Sequence, residues 1–292
     1  MKKQNKAYLF ALLAILLWST AATAFKIALE QVDFIQLLFF ASGVATVVLL
    51  IILLFENKLK LLTELSVYEW IMAALRGFLN PFIYYLILFK AYDILPAQEA
   101  MTLNYTWPIV LILLSVPLLK QHLSRQGVMA ILLSFIGVLV IATKGNLLDL
   151  QLSNIKGDLL ALSTSLVWAF FWIINLKCKS DESIKLFLSF GFSFLFTLPV
   201  VYFFSDFSLP NIHGLLAVGY VGIAEMGLAF FLWLNALKNA QRTDQVGQLI
   251  YLSPFLSLLF IGFILHEPIH ITSFLGLILI LAGIIWHKKT SK

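Results

Sequence analysis

Residues 34–55 read FIQLLFFASGVATVVLLIILLF, an unbroken stretch with no charged side chain. At a rise of about 1.5 Å per residue, a helix of this length covers the ~30 Å hydrocarbon core of a bilayer. Lipid offers no water to the backbone, and a helix satisfies its own N–H and C=O groups within the segment. The run is also far longer than the ~10-residue alternating strands of a membrane barrel. Outward from it, comparable runs fall at 7–29, 70–91, 97–118, 126–143, 157–176, 184–204, 212–236, 245–265 and 270–287. The chain is 61% hydrophobic and 12% charged, with mean hydropathy +0.95. Soluble domains carry about 25% charged residues, so this chain belongs in lipid. Ten spans of roughly 20 residues use about 200 positions and leave little for a soluble domain. The expected fold class is an all-α polytopic membrane protein with ten transmembrane helices.

Charge sets the orientation, because Lys and Arg are retained on the cytoplasmic side. With the N-terminus inside, fifteen of the twenty basic residues are cytoplasmic: Lys2, Lys3, Lys6, Lys58, Lys60, Lys120, Arg125, Lys177, Lys179, Lys185, Lys238, Arg242, Lys288, Lys289 and Lys292. Lys90, Lys144 and Lys156 fall outside, and Lys26 and Arg76 lie within spans. Both termini are expected to face the cytoplasm of an inner membrane. The net charge of +5 reflects this bias and not nucleic-acid binding. The segment from Met1 to Ala22-Thr23-Ala24 imitates a cleaved signal peptide, but Trp18 and the continuation to Leu29 belong to a repeat and favour a retained first span. The lone Cys178 offers neither disulfide nor metal site.

Sliding the sequence by about 145–150 residues brings two halves into register, 1–145 and 150–292. Leu17-Trp18-Ser19 faces Val167-Trp168-Ala169, Gly77 faces Gly222, Ala91 faces Ala236, Pro108 faces Pro254 and Gly137 faces Gly283. Five spans per half is an odd number, so the second copy enters from the opposite face and the repeat is inverted. Inverted repeats are a recurrent architecture of secondary transporters. A duplicated bundle used as a scaffold is the other reading.

The ordered set Trp18-Ser19-Thr20 with Phe25-Lys26, Leu103-Asn104-Tyr105-Thr106-Trp107-Pro108, Leu252-Ser253-Pro254, and Glu267 with Gly276 and Gly283 resembles the drug/metabolite transporter superfamily, EamA type. The resemblance covers nearly the whole chain. It implies ten helices, both termini inside, and transport of small metabolites without ATP, amino acids and related compounds first and export before uptake. One departure is that Glu267 has Gln121 at the matching place in the first half.

An ionisable group at the centre of a membrane helix costs about 2.5–3.5 kcal/mol on insertion scales, so each asks for a reason. Glu225 stands mid-span, and the repeat pairs it with Asn80 just before Pro81. The pair suits a substrate amine or a proton on the pseudo-symmetry axis; an uncharged acid tying helices together is the structural reading. Arg76, four residues before Asn80, suits a substrate carboxylate or, structurally, a pairing with Glu225. Gln98, Thr102 and Tyr105 form one polar helix stripe with Asn104 and Trp107 beside it, and Asp244, Gln245, Gln248 and Tyr251 are the counterpart. These read as two half-pathways or as interhelical hydrogen bonding. Pro108 and Pro254 predispose matching helices to bend as hinges or gates. Trp18 and Trp168 lie too deep for an interfacial belt and wall a cavity or simply pack. Lys26 snorkels to the membrane surface, with a minor claim as a substrate or gating charge.

The five histidines are scattered, and His266-Glu267 with His270 straddle Pro268 without a ligand spacing. No phosphate-binding glycine loop, GxSxG or Walker lysine occurs, so no cofactor and no metal are expected and an ATP-driven pump within this chain is excluded. The expected partners are a small-molecule substrate, protons and the lipid bilayer. A passive facilitator or channel is the alternative, and a membrane-embedded lipid-modifying enzyme a remote one. Five helices per half can close around a cavity within one chain.

Overall fold

The computed structural model describes residues 3–119, 125–142, 145, 154–176, 180–206, 209–240, 246 and 249–290. Lys2, Lys120, Gln121, His122, Lys144, Lys177, Cys178, Lys179, Arg242, Asp244, Gln245, Gln248 and Lys292 lie outside the described residues, and for Pro108, Tyr251, His287, Lys288 and Lys289 only the backbone is described.

The described chain is helical throughout. In the first half α1 is Lys3–Leu29, α2 Phe34–Phe55, α3 Lys60–Thr63, α4 Val67–Gly77, α5 Tyr84–Ile94, α6 Ala97–Asn104, α7 Trp107–Leu119 and α8 Arg125–Ala142. In the second half α9 is Ile155–Leu176, α10 Glu182–Phe204, α11 Ile212–Tyr220, α12 Phe230–Asn239, α13 Ser253–Ile264 and α14 Ile271–Thr290. Wide π-helical turns join α4 to α5 (Phe78–Ile83) and α11 to α12 (Val221–Ala229). Among the described residues, five stretches are long and apolar enough to cross a membrane: Lys3–Leu29, Phe34–Phe55, Val67–Ile94, Glu182–Phe204 and Ile212–Asn239. Arg125–Val138, Ser253–Ile264 and Ile271–Trp286 are shorter apolar helices. The outward faces stay apolar; Phe55, Tyr202, Phe203 and Phe263 are exposed where a soluble protein would carry charge. This is a multi-pass membrane protein.

The expected span 97–118 is two helices, because Tyr105 and Thr106 interrupt it and α7 restarts at Trp107. Its counterpart is likewise divided, with a short 3-10 turn over Leu249–Leu252 before α13. Pro108 and Pro254 are each the second residue of the restarting helix. In a helix's first turn proline forfeits no hydrogen bond, since that N–H has no intrahelical partner anyway. The prolines therefore mark helix starts after a break and do not bend a continuous helix.

Helix packing respects the repeat. α2 lies along α10 and α8 along α14. α1 packs on α12 and α13, while its counterpart α9 packs on α5 and α7. The second π segment sits on α2 and the first on α10. Each of these contacts between halves has a partner when the halves are exchanged. The repeat-matched glycines explain the closeness: a Cβ on Gly77 would lie 2.6 Å from the Ser189 carbonyl of α10, and one on Gly222 2.6 Å from Val44 Cβ of α2. Gly137 meets the Gly276 carbonyl, and Gly283 meets Ser134 and the Ala130 carbonyl. Small residues let backbones approach where no hydrophobic effect drives association in lipid.

The α2–α10 pair is fastened at both ends. Asp33 caps α2 by accepting from the Ile35 and Gln36 amides, and its other oxygen accepts from Ser205 Oγ just past α10 at 2.5 Å. At the far end Asp181 caps α10 by accepting from the Ser183 amide and pairs with Lys58 at 3.0 Å, which also pairs with Glu56 at 2.8 Å. Burial alone lowers the Lys58 pKa, but hydrogen bonds and attraction from Glu56 and Asp181 outweigh it and hold the ammonium above its usual value. Burial alone raises Asp181, but Lys58 and the Ser183 and Ile184 amides outweigh it and hold the carboxyl below its usual value.

Candidate functional site

The two π segments place Asn80 and Glu225 in the same interior space. Asn80 leaves helical geometry altogether (φ −147°, ψ 118°) ahead of Pro81, which supplies no amide hydrogen, and the Asn80–Pro81 peptide is cis. The second segment has no proline; Gly222 and Gly227 flank Glu225 there. Wide turns of this kind free carbonyls from the regular ladder and recur at functional positions.

A cavity of about 400 Å³ lies between the halves. Of the residues singled out from sequence, Trp18, Asn80, Asn104, Tyr105, Trp168 and Glu225 line it together. Its walls are aromatic. Phe230 bridges the repeat-paired tryptophans, its ring centroid 5.5 Å from Trp18 and 6.1 Å from Trp168. Tyr84 lies 4.8 Å from Trp168, and Trp233 5.6 Å from Trp18. Such edge and tilted ring contacts favour a rigid wall.

Polar groups are few and placed. Tyr85 Oη donates to Glu225 Oε1 at 2.6 Å. Asn104 Nδ2 donates to Thr164 Oγ1 at 2.7 Å and to Tyr84 Oη at 3.1 Å. Thr106 and Ser165 hydroxyls are 2.8 Å apart, so the broken α6–α7 span is stitched to α9. Ser19 Oγ donates to Ser253 Oγ at 3.5 Å, and Tyr105 is hydrogen-bonded to Ser253. Three residues that line the cavity each carry a buried oxygen, Asn80 Oδ1, Glu225 Oε2 and Ser257 Oγ, without a hydrogen-bond partner among the described residues. A buried polar atom left without a partner costs about 1–3 kcal/mol, so these three point to something that binds there.

Arg76 is buried on α4 but does not line the cavity, and among the described residues no ion pair joins it to Glu225. The partner of Glu225 is a tyrosine that hydropathy reads as apolar. Lys185, which the loop-charge bookkeeping assigns to the cytoplasmic edge, lies inside α10, 5% exposed, and lines the cavity with Glu182. Ser257 was legible only as a small residue on α13.

At the end of the bundle nearer Asp33, hydrogen bonds tie the helix ends and the two halves together. Lys26 does not snorkel; its Nζ donates to the Tyr92 and Leu95 carbonyls at 2.9 and 3.1 Å. Glu267 reaches from the second half to accept from the Ala97 amide, the first of α6, at 3.1 Å, placing an anion where the helix dipole favours it. Gln98 donates to the Pro268 carbonyl at 2.9 Å and accepts from the His270 amide at 3.1 Å. Among the described residues no group of three or more His, Cys, Asp and Glu side chains is placed to hold a metal.

The family model described as the EamA-like transporter family matches twice, over residues 5–143 and 155–287. A protein of Archaeoglobus fulgidus called an uncharacterized transporter is 26% identical over 96% of this chain and 96% of its own length. The Bacillus subtilis uncharacterized transporter YetK is also 26% identical, over 97% of this chain and 87% of its own. A solved crystal structure with 21% identity superposes with a TM-score of 0.68, covering 99% of this chain and 98% of that one, which establishes a shared fold.

Proposed function

We propose that this chain, which belongs to the EamA-like transporter family, carries a small metabolite, an amino acid or related compound, out across the cytoplasmic membrane by alternating access. Ten crossings arranged as two inverted five-helix halves, 1–145 and 150–292, rock about the central cavity. Support comes from the exchange symmetry of the helix contacts and from the matched breaks before Pro108 and Pro254. Discontinuous helices in corresponding positions of two halves are a recurrent feature of midplane substrate sites.

One observation carries the reading: the paired π segments bring Asn80 and Glu225, each with an unpartnered buried oxygen, into one cavity between the halves. Glu225 exchanges a proton or holds a substrate amine; Asn80 and Asn104 orient the ligand; Trp18, Trp168 and Phe230 enclose its apolar part. The lining reaches Glu182 and Lys185 at the Asp181 end and does not include Lys26 and Glu267, whose hydrogen bonds hold the other end together as its gate. With the lysine-rich loops inside, that posture faces the cytoplasm and suits loading for export. Tyr105 belongs to one half-pathway; the expected counterparts are Gln248, which lies outside the described residues, and Tyr251, of which only the backbone is described.

The test is transport by the full chain in liposomes under an imposed pH gradient. Glu225→Gln is expected to insert normally and to lose gradient-driven accumulation. Undiminished accumulation in that variant removes Glu225 from the mechanism. A protein that equilibrates solute yet never concentrates it is a facilitator.

A further inference from the structure

Among the described residues, Lys185 is the one buried cation lining this cavity, and the transport cycle above does not use it. It lies in the first turn of α10, yet it is 5% exposed and stands among the cavity walls, four residues before Ser189, which lines the same space. The ion pair it makes with Glu182 is lopsided: Nζ meets Oε1 at 2.5 Å, with the lysine side chain 6% exposed and the glutamate 46%. The glutamate therefore reaches inward from the mouth to a cation held inside. The half-exposed carboxylate keeps access to water, so it is the member of the pair that can leave. A desolvated ammonium, by contrast, holds a counter-anion strongly. Glu225 gives the cavity an acidic group elsewhere on its wall, and the aromatic rings lie between polar stations contributed by separate elements.

We infer that Lys185 is the receptor for an anionic group of the ligand, a carboxylate on an apolar body, and that Glu182 is the resident counter-ion which this carboxylate displaces. The inference rests on reading the cavity as the transport site. It assigns the second half a specificity residue distinct from Glu225. Displacement links loading to the mouth: once Glu182 is released it returns to solvent at the Asp181 end, and the ligand takes its place against Nζ.

The experiment is intrinsic fluorescence titration of the purified full chain in detergent, since Trp18, Trp107, Trp168 and Trp233 line the cavity. Two probes share an aromatic body and differ in the head group, 3-phenylpropionate and phenethylamine. Lys185→Met is expected to weaken 3-phenylpropionate by about tenfold or more, the scale of one charge-assisted hydrogen bond, and to leave phenethylamine unchanged. Lys185→Arg retains binding. Glu182→Gln is expected to tighten 3-phenylpropionate by about threefold, because the competing carboxylate is gone. A merely structural pair gives the opposite, weaker binding in Glu182→Gln. That result overturns the inference, as does wild-type protein that fails to bind 3-phenylpropionate or binds it no better than Lys185→Met. Should Lys185→Met fail to fold, Glu182→Gln and Lys185→Arg decide the matter. Failure here leaves vesicle transport intact, whereas failure of the transport reading abolishes accumulation of every solute.

Discussion

Tyr85 and Glu225, one from each half, are joined by a 2.6 Å hydrogen bond at the wall of the central cavity. The bond fixes which carboxylate oxygen faces a protein donor and leaves Oε2 buried with no hydrogen-bond partner among the described residues. It also makes Glu225 sensitive to the position of α5 in the opposite half.

Removing that donor is expected to be felt twice. Tyr85→Phe loses about 1.5–3 kcal/mol of stability, the scale of a hydrogen bond to a charged group, measured by thermal denaturation in detergent. It also displaces the pH at which transport is half-maximal, whereas Glu225→Gln flattens the pH profile. A Tyr85→Phe protein with a wild-type profile would show that the hydroxyl serves packing alone.

The glycines differ by what surrounds them. Gly283→Ala drives a methyl group into Ser134 and the Ala130 carbonyl of α8, and backbone cannot give way as a side chain does. The expected loss is about 1–3 kcal/mol, typical of overpacking. Gly219, where a methyl meets nothing within 4 Å, tolerates alanine to within about 0.5 kcal/mol in the same melt.

Asp181→Asn keeps the helix cap, because asparagine caps as well as aspartate, and removes only the charge paired with Lys58. Asp181 is depressed below 3.8, so its contribution is complete above that value and disappears as pH falls through the depressed one. Lys58 is raised above 10.5, so its contribution is complete below that value and disappears as pH rises through the raised one. The variant should therefore melt lower than wild type by about 0.2–1 kcal/mol at neutral pH, with the gap closing at both acid and alkaline extremes. A gap independent of pH contradicts the charge pairing.

Glu267→Gln keeps an acceptor for the Ala97 amide but gives up the charge at the α6 terminus, about 0.3–1 kcal/mol. Under alternating access the fraction facing the Asp33 end then rises about two- to fivefold. Thiol labelling of Ser257→Cys from that side, with Cys178 replaced, reads it directly. An unchanged labelling rate shows that the gate does not depend on this charge.

Hydropathy made the apolar segments legible because length and absence of charge are properties of the chain itself. The breaks at Tyr105–Thr106 and before Ser253 were half legible: proline announced a disturbance, yet a bend and a restarted helix carry the same letter. The π segment around Glu225 was not legible, since no residue in Val221–Ala229 forbids an ordinary α-helix and the wide turn is fixed by packing on α2. Pairing Arg76 with Glu225 followed charge complementarity, but a partner is chosen by where helices point, and Tyr85 points there. The burial of Lys185 was not legible for a similar reason. A lysine at the edge of a span looks the same whether it turns to solvent or inward.

A π turn is a dislocation in an α-helical ladder, one surplus residue accommodated within a few positions. Moving it along by a single residue rotates the side chains it passes by about 100°, the angular step of an α-helix, while both ends of the helix stay put. Val221–Ala229 contains such a defect, whereas Phe78–Ile83 is broken outright at Asn80, so moving the wide turn re-aims Glu225 while Gly222 keeps its contact with α2 and Gly77 its contact with α10. The tight glycine contact and the swivelling carboxylate are thus compatible in one helix, with rigidity belonging to the backbone seam and freedom to the register within it.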